Sequence, residues 1–140
     1  GVEMVDFERL VQESDILQIH IHLTEDTRNL INQNVFSRMK AGAFLINTSR
    51  GAIVDESALL QALQEKKIAG AGLDVINGEW LEEEKLLEHP LIKYAGQNDN
   101  LVITPHTASS TPDSMFGARN FMAKKIAAYI EENMVERTNP

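Results

Sequence analysis

The chain of 140 residues is long enough for one packed domain, with 43% hydrophobic residues to fill a core. Its 13 basic against 21 acidic side chains leave a net charge of −8, which argues against a nucleic-acid or anionic-membrane surface. It has no cysteine, so there is neither a disulfide framework nor a thiolate metal site, and no apolar run approaches a bilayer span.

In chain order, "VDFERLVQESD" spaces Phe7, Leu10 and Val11 as a helix does. "DILQIHI" follows and reads as a strand apolar on both faces, through Ile16, Leu17, Ile19 and Ile21. Asn34 is the expected cap of a short helix carrying Val35, Phe36 and Met39 and closed by Gly42. "AFLINTS" is a second strand. Asp55 then caps a helix that buries Leu59, Leu60 and Leu63 and ends on Lys66 and Lys67, where positive charge suits the helix dipole. "IAGAGLDVI" and "NLVITPH" are the third and fourth strands. The acidic stretch between them, with Glu82, Glu83 and Glu84, reads as a solvated short helix and loops. Thr111 as cap and Pro112 at the first helical position open a last helix, whose buried stripe is expected at Met115, Ala118, Met122, Ile126 and Ile130.

Near-continuous apolar strands separated by helices predict an α/β fold, a parallel sheet covered by helices on both faces. In such a sheet, ligands bind beyond the carboxyl ends of the strands. Four strands here end in polar groups: His20 and His22, then Thr48, Ser49 and Arg50, then Asp74 and Glu79, and finally His106. A parallel arrangement gathers them on one edge. Arginine offers a charged planar fork for a carboxylate, histidine exchanges a proton near neutrality, and a carboxylate beside that histidine favours its charged form. Together they suit a small 2-oxo or 2-hydroxy acid. No side chain performs hydride transfer, so a nicotinamide cofactor is implied.

At these residues a resemblance emerges. "LINTSRGAIVDESALLQAL", "GAGLDVINGE" and "NLVITPHTA" closely resemble the NAD-dependent D-isomer-specific 2-hydroxyacid dehydrogenases, and "SDILQIHIHLTEDTRNLIN" looks like the preceding part of the same domain. The resemblance runs from about residue 6 to residue 132. It implies the second half of a Rossmann-type dinucleotide-binding domain in a cytoplasmic enzyme. By position it implies that Arg50 binds substrate, that Glu79 is the acidic partner and that His106 donates and accepts the proton. Asp74 matches the aspartate at the nicotinamide end of the cofactor. Thr48 and Ser49 match cofactor-lining positions, as do Arg50, His106 and Ser109, and Ile21 and His22 fall on the adenosine side. The chain departs from the family at His22 and Trp80, where proline is usual, at Ser109, where glycine is frequent, and in a longer "IKYAGQNDN" loop. NAD is the implied cofactor, with NADP left open.

A glycine-rich turn opening a helix, which a pyrophosphate requires, is missing from these residues. "GAGLDV" offers Gly70 and Gly72, but Val75 stands in the third place. Residues 1–140 therefore read as a partial dinucleotide-binding domain with a C-terminal helix, its glycine-rich first half and substrate domain lying upstream in the family pattern. Each residue also has a structural reading: Arg50 in a surface ion pair, Asp74 capping a turn, His106 as a hydrogen-bonded structural histidine. His20 and His22 lack an evident third ligand, so no metal site is expected. The alternative to an enzyme fragment is a catalytically inactive α/β module that self-associates or binds a partner. In either case "DILQIHI" is an apolar strand without its neighbour, and a homodimer is expected.

Overall fold

A computed structural model describes residues 1–78 and 82–134. Four strands, β1 (Ile16–Ile19), β2 (Phe44–Asn47), β3 (Gly70–Leu73) and β4 (Leu101–Ile103), form one sheet in the order β1-β2-β3-β4. Every adjacent pair is parallel. The connections carry helices, as parallel neighbours require: α2 (Gln33–Arg38), α3 (Glu56–Gln64), α4 (Glu83–Leu87) and α5 (Pro90–Ala95), with α1 (Phe7–Glu13) ahead of the sheet. The fold is the parallel α/β arrangement that the sequence predicts. The described residues belong to two units, Gly1–His106 and Thr107–Pro140.

Register explains which residues are inside. Leu17, Leu45, Ala71 and Leu101 stand side by side across the four strands, and all are buried. The next row on that face is Ile19, Asn47, Leu73 and Ile103. Val11 of α1, Val35 and Phe36 of α2, Leu59 and Leu63 of α3 and Leu91 of α5 join these rows in one core. The opposite face is not covered as expected. Ile16 is 63% exposed, Phe44 46% and Val102 61%, so only one face of the sheet is sealed among the described residues. β1 is correspondingly not buried on both sides: Leu17 and Ile19 are inside, Ile16 and Gln18 outside. The strand also ends at Ile19, leaving His20, Ile21 and His22 in the loop beyond it.

Helix ends follow side-chain chemistry. Asp55 caps α3 as expected, accepting from the backbone N–H of Ser57 and Ala58 at 3.0 and 3.1 Å. Leu59 and Leu63 are buried, Leu60 half-buried. Three ends differ from expectation. α2 is capped by Asn32, not Asn34, because the Asn32 side chain reaches the N–H groups of Asn34 and Val35 at 3.0 and 3.3 Å. It closes at Met39, ahead of Gly42. α3 stops at Gln64, with Lys66 in a left-handed turn (φ 55°) beyond it, so Lys66 and Lys67 follow the helix rather than fill its last turn. The acidic stretch holds two helices, α4 and α5.

The second unit contains α6 (Pro112–Met134). The Thr111 hydroxyl accepts the Ser114 N–H at 3.2 Å, the expected cap with Pro112 behind it. The expected stripe is not buried: Met115, Ala118, Met122, Ile126 and Ile130 are all exposed. Periodicity defines an apolar face, but the burial of that face depends on what packs on it.

Candidate active site

The carboxyl ends of the strands are tied together by hydrogen bonds that run from β1 to β4. Beyond β1, the Ile21 carbonyl accepts the Ser49 hydroxyl. Beyond β2, Asn47 organises the turn: its Oδ1 accepts the Ser49 N–H at 3.0 Å and its Nδ2 donates to the Arg50 carbonyl at 3.0 Å. The Asn47 carbonyl accepts the Asp74 N–H at 2.9 Å, and the Asp74 carbonyl accepts the His106 N–H at 3.0 Å. The Asp74 carboxylate also accepts the Thr104 hydroxyl.

Asn47 is 1% exposed and Asp74 5%, the two buried polar side chains among the described residues. A buried amide that meets its own turn costs little and fixes the turn's shape. Asn47, Thr104 and Gly51 join the expected residues at this edge. The signal for Asn47 is an asparagine closing an apolar strand before a polar turn. Gly51 sits where a Cβ would lie 2.4 Å from the Ile76 carbonyl carbon and 2.6 Å from the Asn77 nitrogen. Only glycine allows the turn carrying Arg50 to pass so close to the chain after β3.

Arg50 is exposed, and its guanidinium donates to the Ser49 carbonyl at 2.6 Å. Thr48 and Ser49 are half-buried, Ile21 and His22 exposed. The His22 carbonyl accepts the Thr27 hydroxyl at 2.8 Å. His106 is half-buried and adopts φ 53°, a left-handed conformation uncommon outside glycine. Such conformations concentrate at functional sites. A cavity of about 580 Å³ opens here, lined by Asp74, Ile76, Thr104 and His106 with apolar walls from Leu101 and Ile103. Asp74 and His106 thus share one cavity, while Arg50 lies on the neighbouring turn. Glu79 lies outside the described residues. Ser109 belongs to the second unit, where it is exposed and its carbonyl accepts the Ser114 hydroxyl.

Residues 1–108 match the family described as D-isomer specific 2-hydroxyacid dehydrogenase, NAD binding domain. The chain belongs to that family. Glyoxylate reductase of Thermococcus litoralis is 42% identical over 141 residues, covering 98% of this chain and 40% of the reductase. The NAD-complexed D-isomer specific 2-hydroxyacid dehydrogenase of Lactobacillus delbrueckii ssp. bulgaricus superposes with a TM-score of 0.77 at 34% identity, over 97% of this chain and 41% of that one. A D-2-hydroxyisocaproate dehydrogenase structure gives a TM-score of 0.80 at 29% identity, covering 91% of this chain and 40% of its own. The chain therefore spans about two fifths of the length of these relatives. The parallel sheet with flanking helices in the first unit is the family's Rossmann-type fold.

The donor and acceptor set of this edge fits the two ends of a nicotinamide dinucleotide. A buried carboxylate on Asp74 suits an amide, hydroxyls on Thr48 and Ser49 suit ribose, and exposed Ile21 offers an apolar contact for a planar base. No glycine-rich phosphate turn occurs within these 140 residues. No helix among the described residues is long and apolar enough to cross a membrane.

Proposed function

We propose that the chain is part of a cytoplasmic oxidoreductase that interconverts a small 2-oxo acid and a D-2-hydroxy acid with NAD(H), NADP remaining open. The observation that carries this reading is the carboxyl edge itself. Asp74 and His106 line one cavity, and the Arg50 turn is hydrogen-bonded to the same edge through Asn47. Asp74, Thr48, Ser49, Ile21 and His22 hold the cofactor, with Arg50 and His106 at its nicotinamide end. When bound, the nicotinamide supplies the hydride in reduction and accepts it in oxidation. Arg50 grips the substrate carboxylate and polarises the oxo group. His106 gives its proton to the oxo oxygen in reduction and takes it back in oxidation, and Glu79 favours the charged imidazole.

Arg50→Lys in the complete parent enzyme tests the central contact. Lysine keeps the charge but loses the fork, so kcat/KM for a 2-oxo acid falls roughly 10- to 100-fold while NADH affinity holds. Equal losses in substrate and cofactor binding contradict the assignment.

The exposed sheet face supports a second reading of this chain in isolation, as a self-associating homodimer. Ile16, Phe44 and Val102 present apolar surface on one side of the sheet, and β1 is an unpaired edge.

A further inference from the structure

Glu56 and His89 are two part-buried ionisable side chains that the proposed chemistry leaves unused. Glu56 lies in the first turn of α3, and His89 is the N-cap of α5. Their side chains are 17% and 12% exposed, with His89 Nε2 3.3 Å from Glu56 Oε2. His89 Nδ1 accepts the Leu91 N–H at 3.3 Å, so in the neutral ring the proton sits on Nε2, facing the carboxylate. The other Glu56 oxygen, Oε1, accepts the Asn77 N–H at 2.6 Å. A charged acceptor on a backbone N–H makes a short, strong tie.

That tie ends on the segment that Gly51 also approaches. A Cβ on Gly51 would lie within 2.6 Å of Asn77 N, so the chain after Asp74 is held from two directions. One hold is the backbone next to Arg50. The other is Glu56, five residues further along the same connection. Capping of α5 alone explains His89 Nδ1, and the acidic first turn alone explains a carboxylate on α3. Neither explains why the carboxylate leaves its own helix to reach Asn77.

We propose that Glu56, steadied by His89, is a positioning residue: it fixes the segment Asp74–Asn77 against the Arg50–Gly51 turn, and so sets Asp74 relative to the substrate-binding arginine. This rests on the roles given above to Arg50 and Asp74. The test uses the complete parent enzyme. Glu56→Ala removes the acceptor, whereas Glu56→Gln keeps an oxygen for the Asn77 N–H. The alanine variant is expected to raise KM for the 2-oxo acid about tenfold and to weaken NADH by a smaller factor, and the glutamine variant, which keeps the Asn77 acceptor but loses the one facing His89 Nε2, to recover part of both. His89→Asn keeps an N-cap for α5 but loses the Nε2 contact, and is expected to raise the same KM by a smaller factor.

Amide exchange at Asn77 gives a readout independent of turnover. It is expected to be slow in the unsubstituted and glutamine forms and faster in the alanine form, with the Leu45 and Ala71 amides unchanged. Should the alanine variant fail to fold, the glutamine and His89→Asn forms still decide the KM prediction. An inactive parent enzyme defeats the functional reading, and Asn77 exchange then still judges the tie. A fast Asn77 amide in the unsubstituted protein overturns the proposal, as does an unchanged KM in the alanine and asparagine variants or an equal rise in the alanine and glutamine variants.

Discussion

At the scale of single residues, the edge combines groups of opposite exposure. Asp74 is buried and hydrogen-bonded, whereas Arg50 is exposed, its guanidinium donating to the carbonyl of the preceding residue. That division suits a site in which one group is preset and another must release a local contact to meet substrate. The proton chemistry leads to a pH prediction. In reduction the histidine must start protonated, so the rate falls on the alkaline side as the imidazole loses its proton. Under the proposed pairing of Glu79 with His106, losing the carboxylate disfavours the charged imidazole, and that fall moves to lower pH. In the parent enzyme, Glu79→Gln is therefore expected to shift the reduction profile downward in pH. A superimposable profile shows that Glu79 does not act on His106. The placement of Arg50, Asp74 and His106 beyond the strand ends was legible in the sequence because polar residues closing apolar strands stand out. Asn47 was not, since a single asparagine inside "FLINTS" resembles the end of a strand and its two turn contacts exist only in three dimensions.

At the scale of elements, helix boundaries test how capping chemistry reads out. Asp55 was recognisable because a carboxylate directly precedes "ESALL", and the fold uses it as an N-cap. The cap of α2 falls at Asn32, two residues before the expected Asn34, because "NQN" offers two equivalent asparagines and only backbone direction selects between them. The Asp55 carboxyl is held below its ordinary 3.8, first by the Ser57 hydroxyl and then by the Ala58 N–H. A carboxylate depressed in the folded state stabilises the fold above its unfolded pKa, and that contribution is lost as pH falls through the folded value. Asp55→Ala is expected to cost about 1 kcal/mol near neutral pH. Denaturant titrations should show the gap narrowing below about pH 4. A gap of the same size in acid contradicts a charged cap.

At the scale of the whole chain, the parallel sheet was legible from apolar runs separated by helical spacing, and so was the gathering of the strand ends. Coverage was not. A run of apolar residues states that a strand can be buried on both faces, but the partner for the second face must come from elsewhere. The outward face carrying Ile16, Phe44 and Val102 and the exposed stripe of α6 are two instances of this limit. The same surfaces predict the behaviour of the 140-residue chain alone. Static light scattering is expected to report a dimer or larger, and Ile16→Lys, which puts a charge on the open edge, is expected to shift it toward monomer. A monodisperse monomer before any substitution contradicts this expectation.

In the proposed function, the carboxyl edge carries out proton transfer to a 2-oxo acid at His106. Steady-state turnover of the parent enzyme with His106→Asn tests it most directly, because asparagine tolerates φ 53° and leaves the backbone in place. The expected result is retained NADH binding with kcat for 2-oxo acid reduction lowered roughly 10²- to 10⁴-fold, the range for loss of a general acid. A kcat within about twofold of the unsubstituted enzyme, well short of that range, would contradict the claim.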